Sequence, residues 1–542
     1  METAVAKPEV FTRKASGLVR VMSPYSAFIY NILTMGLIFP WTYLWGPGAL
    51  AGGSLFWGII LAMLFEVPIA FTYVWLSTAM PRSGGDYVFQ SRAFGGFWGF
   101  TILMSGFVIW ILQWVALSGW LLSYLGFAPL FLGLGATLSN STLSQIGVWF
   151  TTPWGIVIVS ILNALLSMLL LVSGFKNYVK VQYVMFYGIL IAFATMLIVL
   201  FTTPTSQFVE RLNAFAVASG GASNFYQTAK DAVTAAGIDL NPPFSFFNTL
   251  MIAAIAWTSL QWATYSAEQN GEIKEARSFK SQSFILVGSL IMTGILLAFL
   301  GVAFQRVGGT EFLYIAGAGY WSGIQEATIN GFWLWPNILA VALTGSPIVV
   351  ILIGIGYILN SFQIVNNCYI GVTRIMVAMS LDRLLPAWFS EVSERFHTPV
   401  NAHIAYFLAS IPIILLYNLY ENWTPLTLGV TFACGYVFAS SALAGAVFPY
   451  RAKEIYEASP GAKYKLGNIP WVTILGALGA IFGFGMVLSY LLVPALGLTS
   501  PLAYSVVFGI IIVSALWYVI VKRTQKARGI NVDYAFKEIP PD

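Results

Sequence analysis

Apolar runs of about 20 residues or more recur along the whole chain, each bounded by a short polar or charged interval. They lack the every-other-residue alternation of a barrel wall. A hydrocarbon core about 30 Å thick is crossed by roughly 20 residues of α-helix. Twelve runs meet that length, at approximately 23–44, 50–77, 94–125, 153–173, 179–201, 246–267, 284–304, 346–378, 401–420, 426–448, 471–493 and 502–521. The pattern predicts an all-α polytopic membrane protein with about twelve transmembrane helices.

Charge placement supports that count. Twelve spans put both termini and every even-numbered loop on one side of the membrane. All of the 26 lysines and arginines except Arg211, Lys230 and Arg306 then fall on that side, from Lys7, Arg13, Lys14 and Arg20 through Arg82, Arg374 and Arg383 to Lys537. A missed or invented span would invert every later loop and scramble the split. The positive-inside rule therefore places both termini in the cytoplasm. The outer side carries a segment without Lys, Arg, Asp or Glu, 126–152, and two long excursions, 202–245 and 305–345. Within the first excursion, Ala229, Ala232, Val233 and Ala236 recur at helical spacing, so Gln227 to Ala236 reads as a short helix.

Composition narrows the classes of function. Hydrophobic residues make up 58% of the 542 and charged ones 9%, against about 25% charged in a typical soluble protein. The net charge of +5 follows from loop lysines and arginines that orient the helices, so nucleic acid is not an expected partner. Membrane lipid is. Cys368 and Cys434 lie inside apolar runs and read as small buried hydrophobes, not a disulfide. Two histidines, His397 and His403, give no metal-ligand spacing, so neither metal nor cofactor is expected. The first run has no cleavage-type end, so a removed leader is not expected.

Two runs are interrupted in a way that points to transport. Irregular backbone at membrane depth is tolerated only where it lines a cavity, and a broken helix offers free N–H groups and carbonyls there. Run 1 carries Asn31, Thr34, Gly36 and Pro40 near its middle. Run 6 carries Ala256-Trp-Thr-Ser-Leu-Gln261 midway between Phe246 and Glu268. The two are five spans apart, the spacing that two inverted five-helix repeats produce. Small residues that merely let helices pack closely are the ordinary alternative.

Four segments resemble signatures of the amino acid–polyamine–organocation superfamily of transporters. They are Met80-Pro-Arg-Ser-Gly-Gly-Asp-Tyr-Val-Phe89 after run 2, Gly174-Phe-Lys-Asn-Tyr-Val-Lys-Val-Gln182 before run 5, Gly271-Glu-Ile-Lys-Glu-Ala-Arg277 after run 6, and Arg374 to Pro386 continuing to His397-Thr-Pro399 after run 8. Runs 11 and 12 carry little signature. The resemblance implies a leucine-transporter-like fold in which helices 1–5 and 6–10 are inverted repeats, with helices 1 and 6 broken around the substrate. On that basis the chain divides into a cytoplasmic segment 1–22, a first repeat 23–201, an outer loop 202–245, a second repeat 246–450, helices 11 and 12 over 451–521, and a cytoplasmic tail 522–542. Thr34-Met35-Gly36 stands where the family has a Gly-Ser-Gly type break, and Trp257 stands at or next to a frequent aromatic gate. There are departures. The helix 1 break has a single glycine, and Trp75 replaces a frequent glutamate. Ile189 falls where some proton-coupled members have a lysine.

The expected function is secondary transport of amino acids, neutral ones first, or related small amines across the plasma membrane. A cationic amino acid or polyamine exchanger is the alternative. The substrate carboxylate is expected at N–H groups around Thr34, Met35 and Gly36, and its ammonium at carbonyls near Ile32 and Ala256 to Ser259. Asn31, Thr258, Ser259 and Gln261 supply neutral donors and acceptors, and Gln113 and Asn360 are candidates for the same cavity, together with Trp257. Neither break contains an acidic or basic residue, which favours a neutral side chain. Glu66, deep in run 2 before Pro68, is a coupling candidate for H+ or Na+, or else a neutral carboxyl that satisfies backbone freed by Pro68. Asn360, Ser361, Gln363, Asn366 and Asn367 make run 8 unusually polar and suit either a water pathway or interhelical bonds. Arg374 and Asp382 read as a network at the cytoplasmic face. An ion channel would show rings of charge or a repeated filter loop, and a membrane enzyme would need a clustered nucleophile, metal or paired carboxylates within the bilayer. The sequence shows neither, and it leaves oligomeric state open.

Overall fold

A computed structural model of the protein describes residues 16–38, 45–420, 423, 427–497 and 499–539. Lys7, Arg13, Lys14 and Pro40 lie outside the described residues. The long helices are α1 (Pro24–Met35), α2 (Leu55–Ala79), α3 (Gly96–Thr137), α4 (Pro153–Val172), α5 (Phe175–Thr202) and α6 (Phe246–Leu260). They continue with α7 (Phe279–Ser322), α8 (Pro347–Leu381), α9 (Val400–Leu419), α10 (Thr427–Arg451), α11 (Trp471–Leu492) and α12 (Pro501–Ala527). Two short antiparallel hairpins, Thr328–Ile329 with Phe332–Trp333 and Lys465–Leu466 with Ile469–Pro470, are the sheet among the described residues. The protein is a polytopic all-α membrane protein. Among the described residues ten helices are long and apolar enough to cross a membrane. The two expected spans missing from that set are α1 and α6.

Both are short because each stops part-way. α1 has 12 residues, about 18 Å at 1.5 Å per residue. The Ser23 hydroxyl caps its start by accepting from Ser26 N at 3.1 Å, and Pro24 supplies a preset φ in the first turn. Its end is fixed by Gly36, at φ 77° and ψ 125°, a backbone setting that side chains disfavour. α6 starts with Ser245 accepting from Asn248 N at 3.2 Å. It keeps α geometry to Leu260 and then tightens into a 3-10 segment, Gln261–Glu272, which bends at Gln269 (φ −103°, ψ 19°). The sequence places the interruption within Ala256 to Gln261; in the structure it begins at the last of these residues. Side chains compete there for helix carbonyls: Thr258 Oγ1 donates to Ile255 O at 2.7 Å and Gln261 Nε2 to Thr258 O at 3.4 Å.

Packing surrounds these two half-helices. α2 runs against α6 and α11, α8 against α5, and α10 against α11. On one side of the bundle a helix at Phe225–Ala235 occupies the stretch read as helical in the first excursion. Part of the second excursion is helix as well, because α7 continues to Ser322 through a bend at Gly309 (φ 76°, ψ 168°). Lys230 Nζ and Tyr226 OH pin the short helix to Glu311 at 2.9 and 2.7 Å.

The opposite end carries the first and last described segments of the chain and is tightly stapled. A loop helix, Gly85–Phe94, follows α2. Its Arg92 donates to Asp382 at 3.1 Å and to the carbonyls of Ala535 and Glu538 at 3.0 and 3.1 Å, so the C-terminal tail lies across it. Arg374 grips Glu272 through Nε and Nη2 at 2.7 and 2.9 Å. Val21 N and Met22 N both donate to Glu272 O, at 2.9 and 3.0 Å, which ties the N-terminal segment to the same point.

Candidate functional site

Where α1 ends and α6 passes into its 3-10 segment, they leave a small cavity between them. Thr34 and Met35 of α1 and Thr258 and Ser259 of α6 form one wall. Trp262 and Tyr265 of the 3-10 segment, Trp114 of α3, and Ile364, Asn367 and Cys368 of α8 complete it. None of these lining side chains is acidic or basic.

The two half-helices touch directly. Ser259 Oγ donates to the carbonyl of Met35 at 2.5 Å. That carbonyl belongs to the last turn of α1, where carbonyls lack helical partners. Gly36 N closes on Ile32 O at 2.9 Å, so this N–H is not free for a ligand. α1 thus brings its C-terminal end, with the Met35 carbonyl and the negative pole of the helix dipole, to the cavity, at the point where α6 tightens into its 3-10 segment. Asn31 locks the join from behind: its Nδ2 donates to Ile285 O at 3.1 Å and its Oδ1 accepts from Ser266 N at 3.0 Å.

A polar chain runs along the α8 side. Asn367 Nδ2 donates to Thr34 Oγ1 at 2.6 Å, and Thr34 Oγ1 donates to Tyr30 O at 2.6 Å. Gln363 Nε2 and Tyr178 OH both donate to Asn367 Oδ1, at 2.6 and 3.0 Å. Opposite, the aromatic rings form a nest. Trp262 meets Trp114 edge-on at 5.7 Å, Tyr265 edge-on at 5.0 Å and Phe107 face-on at 6.1 Å. α3 places two of these rings by π-helical turns at Met104–Ile109 and Leu121–Phe127, which flank Trp114 and change which side chains face inward.

A small uncharged chamber at two helix interruptions, inside a bundle of apolar helices, is the geometry of a carrier. Residues 24–516 match the family described as amino acid permease. This chain belongs to the amino acid permease family. An uncharacterized transporter of Mycobacterium tuberculosis (strain H37Rv) is 25% identical to the permease over 407 residues, 71% of the permease and 75% of the relative. An uncharacterized transporter of Rhizobium meliloti is 31% identical over 143 residues, 25% of the permease and 29% of that protein. An uncharacterized protein of Sulfolobus islandicus rod-shaped virus 1 is 31% identical over 83 residues; the match spans 15% of the permease and 21% of the viral protein. The permease is a multi-pass membrane transporter.

Of the residues singled out in the sequence, Thr34, Met35, Thr258 and Ser259 meet at the cavity. Asn31, Ile32, Gly36 and Ala256 stand directly behind them in the same two half-helices. Gln261 is buried at the turn into the 3-10 segment. The other candidates face elsewhere. Gln113 Oε1 accepts from Trp423 Nε1 at 3.0 Å, and its neighbour Trp114 takes the cavity position. Asn360 is buried one helical turn before Ile364 on α8 and is not part of the lining. Trp257 also turns away: its Nε1 donates to Glu66 Oε2 at 2.7 Å. Trp262, Tyr265 and Trp114 went unmarked in the sequence. Their one signal is the three-residue spacing of Trp262 and Tyr265, which suits a 3-10 turn.

Glu66 and Trp257 are both almost wholly buried, so the bond between them tethers α2 to the end of α6. Replacing Glu66 with leucine leaves the indole N–H without an acceptor and is expected to cost about 1–3 kcal/mol. Glu66→Gln keeps a carbonyl acceptor and is expected to retain most of that stability. Thermal unfolding of the purified variants tests the tether, and equal midpoints for the two would contradict it.

Proposed function

We infer that the permease moves neutral amino acids, or related small amines, across the plasma membrane by alternating access, with both termini cytoplasmic. One observation carries the reading: an uncharged cavity framed by the carbonyl end of α1, by the change of α6 from α to 3-10 geometry and by aromatic rings. A substrate ammonium is matched by the Met35 carbonyl at the negative pole of α1 and by the faces of Trp262 and Trp114. The hydroxyls of Thr34, Thr258 and Ser259 already donate to backbone carbonyls, so the donors for a carboxylate are the second N–H of the Asn367 amide and the phenol of Tyr265, which has no hydrogen-bond partner among the described residues. Ile364, Cys368 and the rings suit an apolar side chain. On this reading helices α1–α5, over 24–202, and α6–α10, over 246–451, are the inverted repeats that rock around the site.

A cationic amino acid or polyamine exchanger is the second reading. It is favoured by the carbonyl end of α1, which directs the negative pole of that half-helix inward. Uptake of labelled neutral, cationic and acidic amino acids into proteoliposomes separates the two. Alanine and leucine are expected to enter and to exchange. Strong arginine uptake with no alanine or leucine transport would overturn the neutral reading. H+ and Na+ are the candidate driving ions, and Glu66→Gln decides whether Glu66 takes part: a variant that keeps pH-dependent, gradient-driven uptake places Glu66 outside the coupling path.

A further inference from the structure

Two acidic side chains beneath the cavity are left unused by substrate binding. Trp262, Tyr265 and Glu268 fall three residues apart in the 3-10 segment. Three residues complete a 3-10 turn, so the three side chains stand in one line. The first two line the cavity. The third lies about 6 Å further along the segment, at 2.0 Å per residue, and reaches the loop helix Gly85–Phe94.

The contact there is close. Gly84 N donates to Glu268 O at 2.8 Å and Asp86 N to Glu268 Oε1 at 3.2 Å. Gly84 has φ 83°, and a Cβ on Gly85 would sit 2.4 Å from Ala267 O, so glycine lets the two backbones approach. Asp86 Oδ1 accepts from the hydroxyls of Tyr73 on α2 and Ser441 on α10. Asp86 and Glu268 are both wholly buried. One oxygen of each, Asp86 Oδ2 and Glu268 Oε2, is buried with no hydrogen-bond partner among the described residues.

No basic side chain among the described residues pairs with either carboxyl. The charged groups of the surrounding elements are engaged elsewhere. Arg374 of α8 holds Glu272, with His403 of α9 at 3.3 Å on its far side. Arg92 of the loop helix holds Asp382, to which Tyr87 also donates at 2.9 Å. The titratable neighbours that remain are the phenols of Tyr73 on α2, Tyr265 on the same 3-10 segment, and Tyr30 on α1, which accepts from Gln269 at 3.0 Å. Two buried carboxylates without a counter-charge repel, whereas one shared proton turns the pair into donor and acceptor.

We propose that Asp86 and Glu268 form a proton-binding site that gates the cytoplasmic mouth of the permease and couples its transport to a proton gradient. This rests on the transport reading above and names its driving ion. With one proton the pair carries a single negative charge and clamps the loop helix to the 3-10 segment. Release breaks one carboxyl O–H bond; the proton passes to cytoplasmic water as hydronium, and two carboxylates are left in contact. Their repulsion drives the loop helix from the segment that also carries Trp262 and Tyr265. Opening of the mouth and loosening of the substrate site are thereby joined in one movement.

Cys368 provides a reporter, since it lines the cavity and is 6% exposed. Proteoliposomes presenting the C-terminal face outward are treated with a membrane-impermeant methanethiosulfonate, without substrate, and modification of Cys368 is read by peptide mass spectrometry. The thiolate is the reacting form and its fraction rises with pH in every variant, so the wild-type rate is read relative to that of each variant at the same pH. That ratio is expected to rise roughly tenfold from acid to alkaline buffer, as the pair loses its proton, because Asp86→Asn and Glu268→Gln each mimic the neutral partner and keep only the thiolate dependence. A wild-type rate that rises no more steeply with pH than that of free cysteine overturns the proposal even if neither variant folds. A ratio that stays constant with pH for both variants overturns it as well. The readout needs no substrate, so absent amino acid uptake alongside the expected labelling would refute the functional reading and leave the proton site standing.

Discussion

Arg374→Ala is expected to destabilise the permease by about 3–5 kcal/mol, the loss typical of stranding one partner of a buried ion pair. Arg374 and Glu272 have side-chain exposures of 0% and 1%. The guanidinium makes a forked contact, with Nε and Nη2 on separate carboxylate oxygens at 2.7 and 2.9 Å, and its carbon lies 4.8 Å from the centre of the Phe175 ring. Alanine removes the charge and the stacking surface together and strands Glu272, whose backbone carbonyl also anchors the N-terminal segment. The double variant Arg374→Met with Glu272→Leu is expected to recover much of the loss, because replacing both charges avoids burying either alone. Thermal unfolding in detergent reads both. Loss of less than about 1 kcal/mol in Arg374→Ala, the range of exposed pairs, would show that this end is not the stapled face described here.

Gly36→Ala is expected to have the second large effect, on transport first. Gly36 sits at φ 77° and ψ 125°. A Cβ there costs of order 1–3 kcal/mol if the backbone keeps that setting. The chain can escape the strain by letting Gly36 adopt helical angles, which lengthens α1 across its own break. Helical continuation would draw the Met35 carbonyl into the helix and away from Ser259. Either response acts on the cavity, so substrate affinity is expected to fall roughly tenfold or more, as 1.4 kcal/mol or more would give. Gly485→Ala in α11 is the matched comparison, since nothing lies within 4 Å of an added Cβ there; it is expected to retain uptake. Equal substrate affinities for the two variants would contradict the role given to the break.

The all-α polytopic architecture was legible in hydropathy. The two spans read as interrupted, 1 and 6, are the two whose helices fall short of a membrane crossing. Thr34, Met35, Thr258 and Ser259, picked from the two interruptions, line the cavity. Side-chain direction was not. Trp257 was picked as an aromatic beside the break, but its partner Glu66 is 191 positions away and no local pattern links them. Trp262 and Tyr265 were passed over because an α-helical reading of run 6 gives the wrong pitch; at three residues per turn they align over the cavity. Gln113 was chosen for polarity, yet the helix turns its neighbour Trp114 inward. The carboxylate site expected at Thr34 to Gly36 assumed free N–H groups, and the described end of α1 offers carbonyls.

An experimental structure of the permease with a saturating neutral amino acid tests the central claim most directly. The account predicts α1 ending at Gly36 and ligand density between Met35, Ser259 and Trp262, with the ammonium on the helix carbonyls. A continuous first helix, or a transported substrate bound away from that cavity, would contradict it.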